Sequence, residues 1–197
     1  MTDYKTKTDA ELVALTLQDR EIFSYLVNRY EAKLFRYIRR FTGVSIECAE
    51  DILQEAFIKI YRNLNDFDTD LSFSSWVYRI AHNEAINHLK KANGHLTVPL
   101  ETDDKDALSL INILESETDI PKELDKKDLR KKVQKVVSML SPDFREMLIL
   151  RYLEEKDYKE ISDILKKPMG TVATLINRAK VQFKQIAEKN NLTHLSF

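Results

Sequence analysis

The sequence contains few of the residues that build tight turns, crosslinks and metal sites. Its 197 residues include three glycines, four prolines, four histidines and one cysteine, Cys48. One cysteine excludes an internal disulfide and a multi-cysteine metal site, and four scattered histidines disfavour a metal enzyme, so we predict no metal and no cofactor. The shortage of glycine and proline, together with abundant leucine, isoleucine, lysine and glutamate, predicts an all-helical protein rather than a sheet fold.

Long apolar runs are also missing from the sequence. No stretch approaches the roughly 20 residues that a membrane span needs. The N-terminal residues MTDYKTKTDAE lack the apolar core of a signal peptide. We therefore predict a soluble, cytoplasmic protein with no direct membrane insertion.

Charge is nearly balanced over the whole chain but unevenly distributed along it. Residues 1–100 carry 13 basic and 14 acidic side chains, residues 101–128 carry 4 and 10, and residues 129–197 carry 14 and 8. The net charges of the three segments are therefore −1, −6 and +6. A basic C-terminal third behind an acidic middle is typical of a polyanion-binding module on a linker, although such a charge run is as often a solvated surface.

Capping residues and apolar spacing predict four helices in the first half of the chain. Thr8 with Glu11 has the spacing of a capping box, and Gly43 is the type of residue that follows a helix end. Ser45 is suited to cap a third helix that runs to about residue 64. A fourth helix is predicted from near Ser72 to about residue 91, with the sole tryptophan, Trp76, as a core anchor.

The third predicted helix has two opposite faces. Placing its residues at 100° intervals predicts a buried stripe of Ala49, Ile52, Leu53, Ala56, Phe57, Ile60 and Leu64. The opposite stripe holds Asp51, Gln54, Glu55, Ile58 and Arg62. Ile58 is the one apolar member of that stripe, so it is either an isolated exposed side chain or a contact for a partner. On periodicity alone the first alternative is favoured.

Residues 93 to about 125 lose the helical pattern. Two prolines, one glycine and a strong acidic bias predict a linker in this segment. Helical signals return near Asp128. Ser141-Pro142-Asp143 predicts one helix start, with an N-cap, a proline at the first position and an acid in the first turn. Asp157 with Glu160 predicts another capping box.

The last predicted helices form a pair around a turn at Pro168–Gly170. The short first helix is predicted to bury Tyr158, Ile161, Ile164 and Leu165. The longer second helix is predicted to expose Thr174, Asn177, Arg178, Val181, Lys184 and Gln185. This is the arrangement of a helix-turn-helix, whose second helix enters the DNA major groove, where asparagine and arginine bind base edges. An ordinary helical hairpin with a solvated face is the alternative.

Three segments together resemble one family. AEDILQEAFIKIYRNLNDF, FSSWVYRIAHNEAINHLKK and LSPDFREMLILRYLEEKDYKEISDILKKPMGTVATLINRAK resemble, in this order, the conserved segments of extracytoplasmic-function sigma factors of the bacterial sigma-70 family. The resemblance implies two small helical domains joined by a flexible acidic linker. Residues 8–92 would form the domain that docks on core polymerase and melts the minus-ten element, residues 93–127 the linker, and residues 128–188 the domain that reads the minus-thirty-five element.

The resemblance also implies site residues and partners. Core RNA polymerase would bind Asp51, Gln54, Glu55 and Ile58. The resemblance therefore favours Ile58 as a contact for polymerase over an isolated exposed side chain. The melted downstream strand would bind Asp66, Phe67, Ser72, Arg79, Asn83, Asn87 and Lys90. The double-stranded upstream element would bind Thr171, Ala173, Thr174, Asn177, Arg178, Lys180 and Lys184. An anti-sigma factor is a further implied partner, and no enzymatic activity is expected.

The sequence departs from the family pattern at several of these positions. Ala173 and Thr174 stand where the family often has a basic residue and a serine. Asn87 stands where an aspartate is frequent, and His82 where an arginine is common. The departures affect which promoter sequence is read rather than the type of function.

Two other functions compete with this interpretation. A stand-alone helix-turn-helix regulator would bind a palindromic operator without polymerase. A helical enzyme acting on nucleic acid would need a cluster of carboxylates or histidines, and the nearest candidates, Asp103, Asp104 and Asp106, fall in the predicted linker without a scaffold. Both alternatives are less favoured than a sigma factor.

Overall fold

The computed structural model describes residues 4–68, 71–91, 110 and 126–190, and in these ranges the chain is helical and has no strand. The helices form two compact units, one built mainly from residues 4–91 and the other mainly from residues 126–190. The predicted all-helical fold with two domains is confirmed. The predicted linker, including Asp103, Asp104 and Asp106, lies outside the described residues apart from Leu110.

The first unit contains four α-helices: α1 (Asp9–Thr16), α2 (Phe23–Thr42), α3 (Ile46–Arg62) and α4 (Phe73–Lys91). Short 3-10 turns cover Tyr4–Thr6, Arg20–Ile22 and Leu64–Asp66. The predicted ends are confirmed where capping residues mark them. Ser45 Oγ accepts a hydrogen bond from the Cys48 backbone N–H, and Gly43 follows α2 with a φ of 69°, which glycine adopts without a Cβ clash.

The predicted capping box before α1 is also present. The Thr8 hydroxyl accepts a hydrogen bond from the Glu11 backbone N–H, and the Glu11 carboxylate accepts one from the Thr8 backbone N–H at 2.8 Å. Lys7 Nζ lies 2.9 Å from the same carboxylate. Hydrogen bonds from Lys7 and from Thr8 lower the pKa of Glu11 to about 2, so its carboxylate stays ionised in acidic solution where an ordinary glutamate would be protonated.

In the core of the first unit α3 and α4 pack along each other, and α2 adds the buried side chains of Leu34, Tyr37 and Ile38. α3 buries Ala49, Ile52, Leu53, Ala56 and Ile60, as its periodicity predicts. An aromatic cluster fills one end of the core, with ring centroids of Phe67 and Trp76 5.3 Å apart and those of Phe67 and Phe73 5.1 Å apart. Trp76 is buried, which confirms its prediction as a core anchor.

The second unit contains α5 (Lys126–Ser138), α6 (Pro142–Leu148), α7 (Tyr158–Leu165) and α8 (Met169–Lys189). α8 packs against α6 and α5. A π-helical segment, Ile149–Leu153, continues α6, where the apolar spacing predicts an ordinary α-helix. The predicted cap at Ser141 and the capping box of Asp157 with Glu160 are both present.

Two side chains of the second unit, Tyr158 and Arg145, have environments that the sequence pattern does not indicate. Tyr158 is predicted to be buried but is 39% exposed, because it is the first residue of α7. Only one side of its ring is covered, by the Arg151 guanidinium 5.5 Å from the centroid. Arg145 is buried, although it is a cation. It donates hydrogen bonds to the carbonyls of Val137, Ser138 and Leu140, and so closes the C-terminal end of α5.

Candidate protein and nucleic-acid interfaces

The outer surface of α3 carries the residues predicted to bind polymerase. Asp51, Gln54, Glu55 and Ile58 are all exposed, at the i, i+3, i+4 and i+7 positions that share one face of a helix. We call these four residues the α3 surface. Ile58 is 37% exposed, so an apolar side chain lies among three polar ones that can hydrogen-bond.

An exposed aromatic residue that was not among the predicted contacts extends this surface. Tyr61 is 37% exposed and lies three residues after Ile58. Its ring packs on Phe23, with centroids 5.0 Å apart, and Phe23 also contacts Phe57. The helical spacing from Ile58 was the signal that could have identified it.

A small cleft brings the α3 surface next to α4. Its volume is about 100 Å³, and Asp51, Glu55, Glu84, Asn87 and Lys91 are among the residues that line it. Glu84 Oε1 accepts a hydrogen bond from Lys59 Nζ at 2.6 Å and a long one from Asn87 Nδ2 at 3.5 Å. The cleft therefore places predicted polymerase and DNA contacts side by side.

The predicted strand-binding residues of α4 share one face of the helix. Arg79, Asn83, Asn87 and Lys90 follow one another at helical intervals; the last three are exposed and Arg79 is half-buried. This face offers two cations and two amides, groups that bind phosphates and base edges.

In the loop before α4, only some of the residues predicted to contact the melted strand are exposed. Asp66 and Ser72 are exposed, and Ser72 Oγ accepts a hydrogen bond from the Ser75 backbone N–H at 3.3 Å, which caps α4. Phe67 is buried, only 7% exposed, in the aromatic cluster with Phe73 and Trp76. Phe67 therefore exposes little of its ring to a binding partner. Residues 69 and 70 of this loop lie outside the described residues.

The turn between α7 and α8 differs from its prediction. Lys166, not Gly170, adopts the left-handed conformation, with a φ of 53°. Ser162 holds the turn from both sides, since its carbonyl accepts from the Lys167 backbone N–H and its hydroxyl donates to the Lys167 carbonyl at 2.6 Å. Pro168 precedes α8, and Gly170 lies in its first turn.

The outward side of α8 carries the residues predicted to read the upstream element. Thr171, Thr174, Asn177 and Arg178 are exposed, and Ala173, Lys180 and Lys184 are half-buried. The Thr174 hydroxyl donates to the Gly170 carbonyl at 2.8 Å, so its oxygen is left as an acceptor. Within the described residues, Asn177 and Arg178 have no hydrogen-bond partner.

An open groove lies beside these residues. Its volume is about 410 Å³, and it is lined by Phe144 of α6 and by five α8 residues: Asn177, Arg178, Val181, Gln182 and Gln185. Val181 is 54% exposed. The groove thus combines an apolar floor with amides and one cation.

The comparisons with known proteins assign a family to both units. Residues 26–94 match the family described as Sigma-70 region 2, and residues 130–183 match Sigma-70, region 4. The ECF RNA polymerase sigma factor SigW of Bacillus subtilis is 31% identical over 163 residues, which cover 82% of this chain and 87% of that protein. The ECF RNA polymerase sigma-E factor of Escherichia coli K12 is 36% identical over 167 residues, covering 82% and 84%.

The chain belongs to the extracytoplasmic-function family of RNA polymerase sigma factors. Its function is that of a sigma factor, which associates with core RNA polymerase and directs transcription initiation at promoters. The stand-alone regulator and the nucleic-acid enzyme are not supported by these relatives, because sigma factors are transcription initiation factors.

The fold of this sigma factor is also found among solved structures. The sigma factor RpoE of Bartonella quintana, solved with the anti-sigma factor NepR, superposes with a TM-score of 0.60 at 18% identity, covering 84% of this chain and 96% of that one.

Across the described residues, no cluster of histidine, cysteine or carboxylate side chains is arranged to hold a metal ion. In the same ranges, no helix has the length and apolar content to cross a membrane.

Proposed function

We propose that the two units of this sigma factor divide promoter recognition between them. Residues 8–92 bind core polymerase and the melted downstream element, residues 93–127 connect the units, and residues 128–188 read the double-stranded upstream element. The observation that carries the proposal is that the residues implied by the resemblance, apart from Phe67, lie on outward faces of α3, α4 and α8 or in the loop before α4. Each face belongs to a unit that matches the corresponding sigma-70 region.

The α3 surface is the docking site for the coiled coil of the largest polymerase subunit. Its three polar residues can hydrogen-bond to a partner helix, and Ile58 supplies the apolar contact that such interfaces place near their centre. Tyr61, packed on Phe23, extends the contact by one helical turn.

The downstream strand binds along α4 and the loop before it. Asn83 and Asn87 offer amides to base edges, and Arg79 and Lys90 offer charge to phosphates. Asp66 and Ser72 border a flipped base at the loop. Phe67 supports this loop through its packing on Trp76 and does not contact the strand itself.

Other features of the proposal follow from the family. The protein acts in the cytoplasm, where core polymerase is found, and has no enzymatic activity of its own. An anti-sigma protein is a further partner. The RpoE structure contains such a partner, and the exposed Ile58 of the α3 surface, with Tyr61 beside it, is suited to bind either the anti-sigma protein or core polymerase.

The test is transcription in vitro with purified core polymerase and a promoter library randomised over the upstream element. Arg178→Ala should relax the preference at one base position, because a bidentate arginine contact contributes about 1–3 kcal/mol of discrimination. Lys184→Ala is the matched control. A phosphate contact carries no sequence information, so this variant should weaken all promoters about equally and reduce the salt dependence by roughly one ion.

The result can also contradict the proposal. Unchanged base preferences with a uniform loss for Arg178→Ala would make Arg178 a phosphate contact. No initiation from any library member with core polymerase would refute the proposed function itself.

A further inference from the structure

The groove beside α8 contains an apolar surface where a DNA-reading helix would be expected to be polar. Val181 is 54% exposed, whereas the buried stripe of α8 is formed by Val172, Ile176, Ala179, Phe183 and Ala187. Val181 is therefore not part of the core of the second unit. Together with Phe144, which is half-buried, it forms the apolar floor of the groove.

The polar lining of the groove favours a nucleic acid over a protein helix. The lining contains one cation, Arg178, three amide side chains and no carboxylate. Lys180 and Lys184 lie on the same helix within three residues of Val181. Since DNA is a polyanion and its base edges bind amides and arginine, the charge and chemistry of the lining complement DNA.

The position of Val181 places it one step beyond the proposed base-reading pair. It follows Arg178 by three residues and Asn177 by four, which corresponds to about 4.5–6 Å along the helix axis. Successive base pairs are about 3.4 Å apart. A helix that lies along the major groove would therefore bring Val181 to a base pair next to those read by Asn177 and Arg178.

We infer that Val181 and Phe144 form a receptacle for the 5-methyl group of a thymine in the upstream promoter element. Thymine is the base that presents a methyl group in the major groove, and apolar side chains recognise it by contact. The inference rests on the proposed function of α8 as the reader of that element. It adds a position at which specificity comes from an apolar contact instead of a hydrogen bond.

The test replaces each upstream thymine in turn by deoxyuridine, which removes only the methyl group. Binding is measured for the full chain assembled with core polymerase on a promoter selected from the library. One replacement should weaken wild-type binding by about fourfold, the loss expected when one buried methyl-sized group is removed. Val181→Ala should bind the thymine promoter more weakly and be insensitive to that replacement.

Two further variants control for folding and for general surface effects. Val181→Thr keeps one methyl group at the same place, so it should retain part of the deoxyuridine sensitivity. Met139→Ala truncates another exposed apolar side chain of the second unit, 49% exposed, that is not among the residues lining the groove. It should keep the full wild-type sensitivity.

The outcomes separate this inference from the proposed function. If no replacement weakens binding while Arg178→Ala still alters base preference, the thymine receptacle is refuted and the proposed function stands. If Val181→Ala weakens assembly with core polymerase in the absence of DNA, the groove is a protein-binding site and the inference is wrong. If neither Arg178→Ala nor any upstream base change matters, α8 does not read DNA and both fail.

Discussion

Gly170 occupies a position in α8 whose conformation does not require glycine. It is not among the residues with positive φ, and a Cβ built at this position meets no atom within 4 Å. Alanine should therefore fit without strain and restrict the unfolded chain. We predict that Gly170→Ala raises the free energy of unfolding by about 0.4–1 kcal/mol, measured by chemical denaturation of the purified protein.

Gly43 is the matched control for this substitution. Its φ of 69° lies in the left-handed region, where an L-residue with a Cβ costs roughly 1–2 kcal/mol. Gly43→Ala should therefore lower the free energy of unfolding, opposite in sign to Gly170→Ala. Two changes of the same sign would show that the backbone at one of the two glycines differs from the structure.

Single residues also show what the sequence could not predict. The turn before α8 was predicted at Pro168–Gly170, because proline and glycine favour turns. The left-handed residue is Lys166, and Ser162 stabilises it through hydrogen bonds to the next residue. Such a clamp depends on tertiary geometry, which residue propensities do not encode. Phe67 was included among the predicted DNA contacts because of the family resemblance, which does not show that its ring packs on Trp76.

At the scale of elements, Arg145 joins α5 to α6. Its guanidinium donates to three backbone carbonyls, and its side chain is buried. Arg145→Met keeps much of the volume but leaves buried acceptors without a donor. We predict a loss of at least about 2 kcal/mol in the free energy of unfolding, since one unsatisfied buried polar group costs about 1–3 kcal/mol.

The control for Arg145→Met is a substitution at Lys131, an exposed cation of α5. Lys131→Met removes a charge from a solvated side chain and should change the free energy of unfolding by less than about 0.5 kcal/mol. Denaturation curves of both variants check the difference. Equal effects would mean that the three hydrogen bonds of Arg145 contribute nothing to stability.

The α3 surface allows binding to be separated from folding. Ile58→Arg changes an exposed side chain, so the free energy of unfolding should change by less than about 0.5 kcal/mol. Affinity for core polymerase should nevertheless fall clearly, because a charge would enter an apolar contact. Leu17→Arg, at a residue that is 52% exposed outside the α3 surface, should leave the affinity unchanged. Normal polymerase binding by Ile58→Arg would remove Ile58 from the interface.

Element ends were predicted well because the signals for them are local. The capping boxes at Thr8 and Asp157 and the caps at Ser45 and Ser141 each involve residues within three positions of one another. The π-helical segment Ile149–Leu153 has no such local signal. Its course depends on packing within the second unit, so periodicity predicted an ordinary helix there.

On the scale of the whole molecule, the sequence predicted the two units and the candidate sites by different routes. Apolar periodicity predicted which faces are buried, including the outward position of Asn177 and Arg178. It did not say what those faces bind, and that came from the resemblance and the comparisons. Val181 and Tyr61 were left out of the predicted sites. A binding role for an exposed apolar residue can be inferred only when the residues around it in the fold are known.

The two faces proposed to read DNA lie in separate units, so promoter recognition depends on what holds these units apart. Two elements separated by about a turn and a half of duplex are roughly 50 Å apart. Residues 93–125 are predicted from their composition to link the units, and a flexible chain of about 33 residues would have a typical span of roughly 30 Å and an extended reach beyond 100 Å. A linker of that kind would bridge both elements without fixing their separation. We therefore predict that the isolated protein binds promoter DNA weakly, and that core polymerase converts this binding into specific initiation. Footprinting with and without core polymerase on the same promoter checks this, and nanomolar protection of a palindromic site by the protein alone would contradict it.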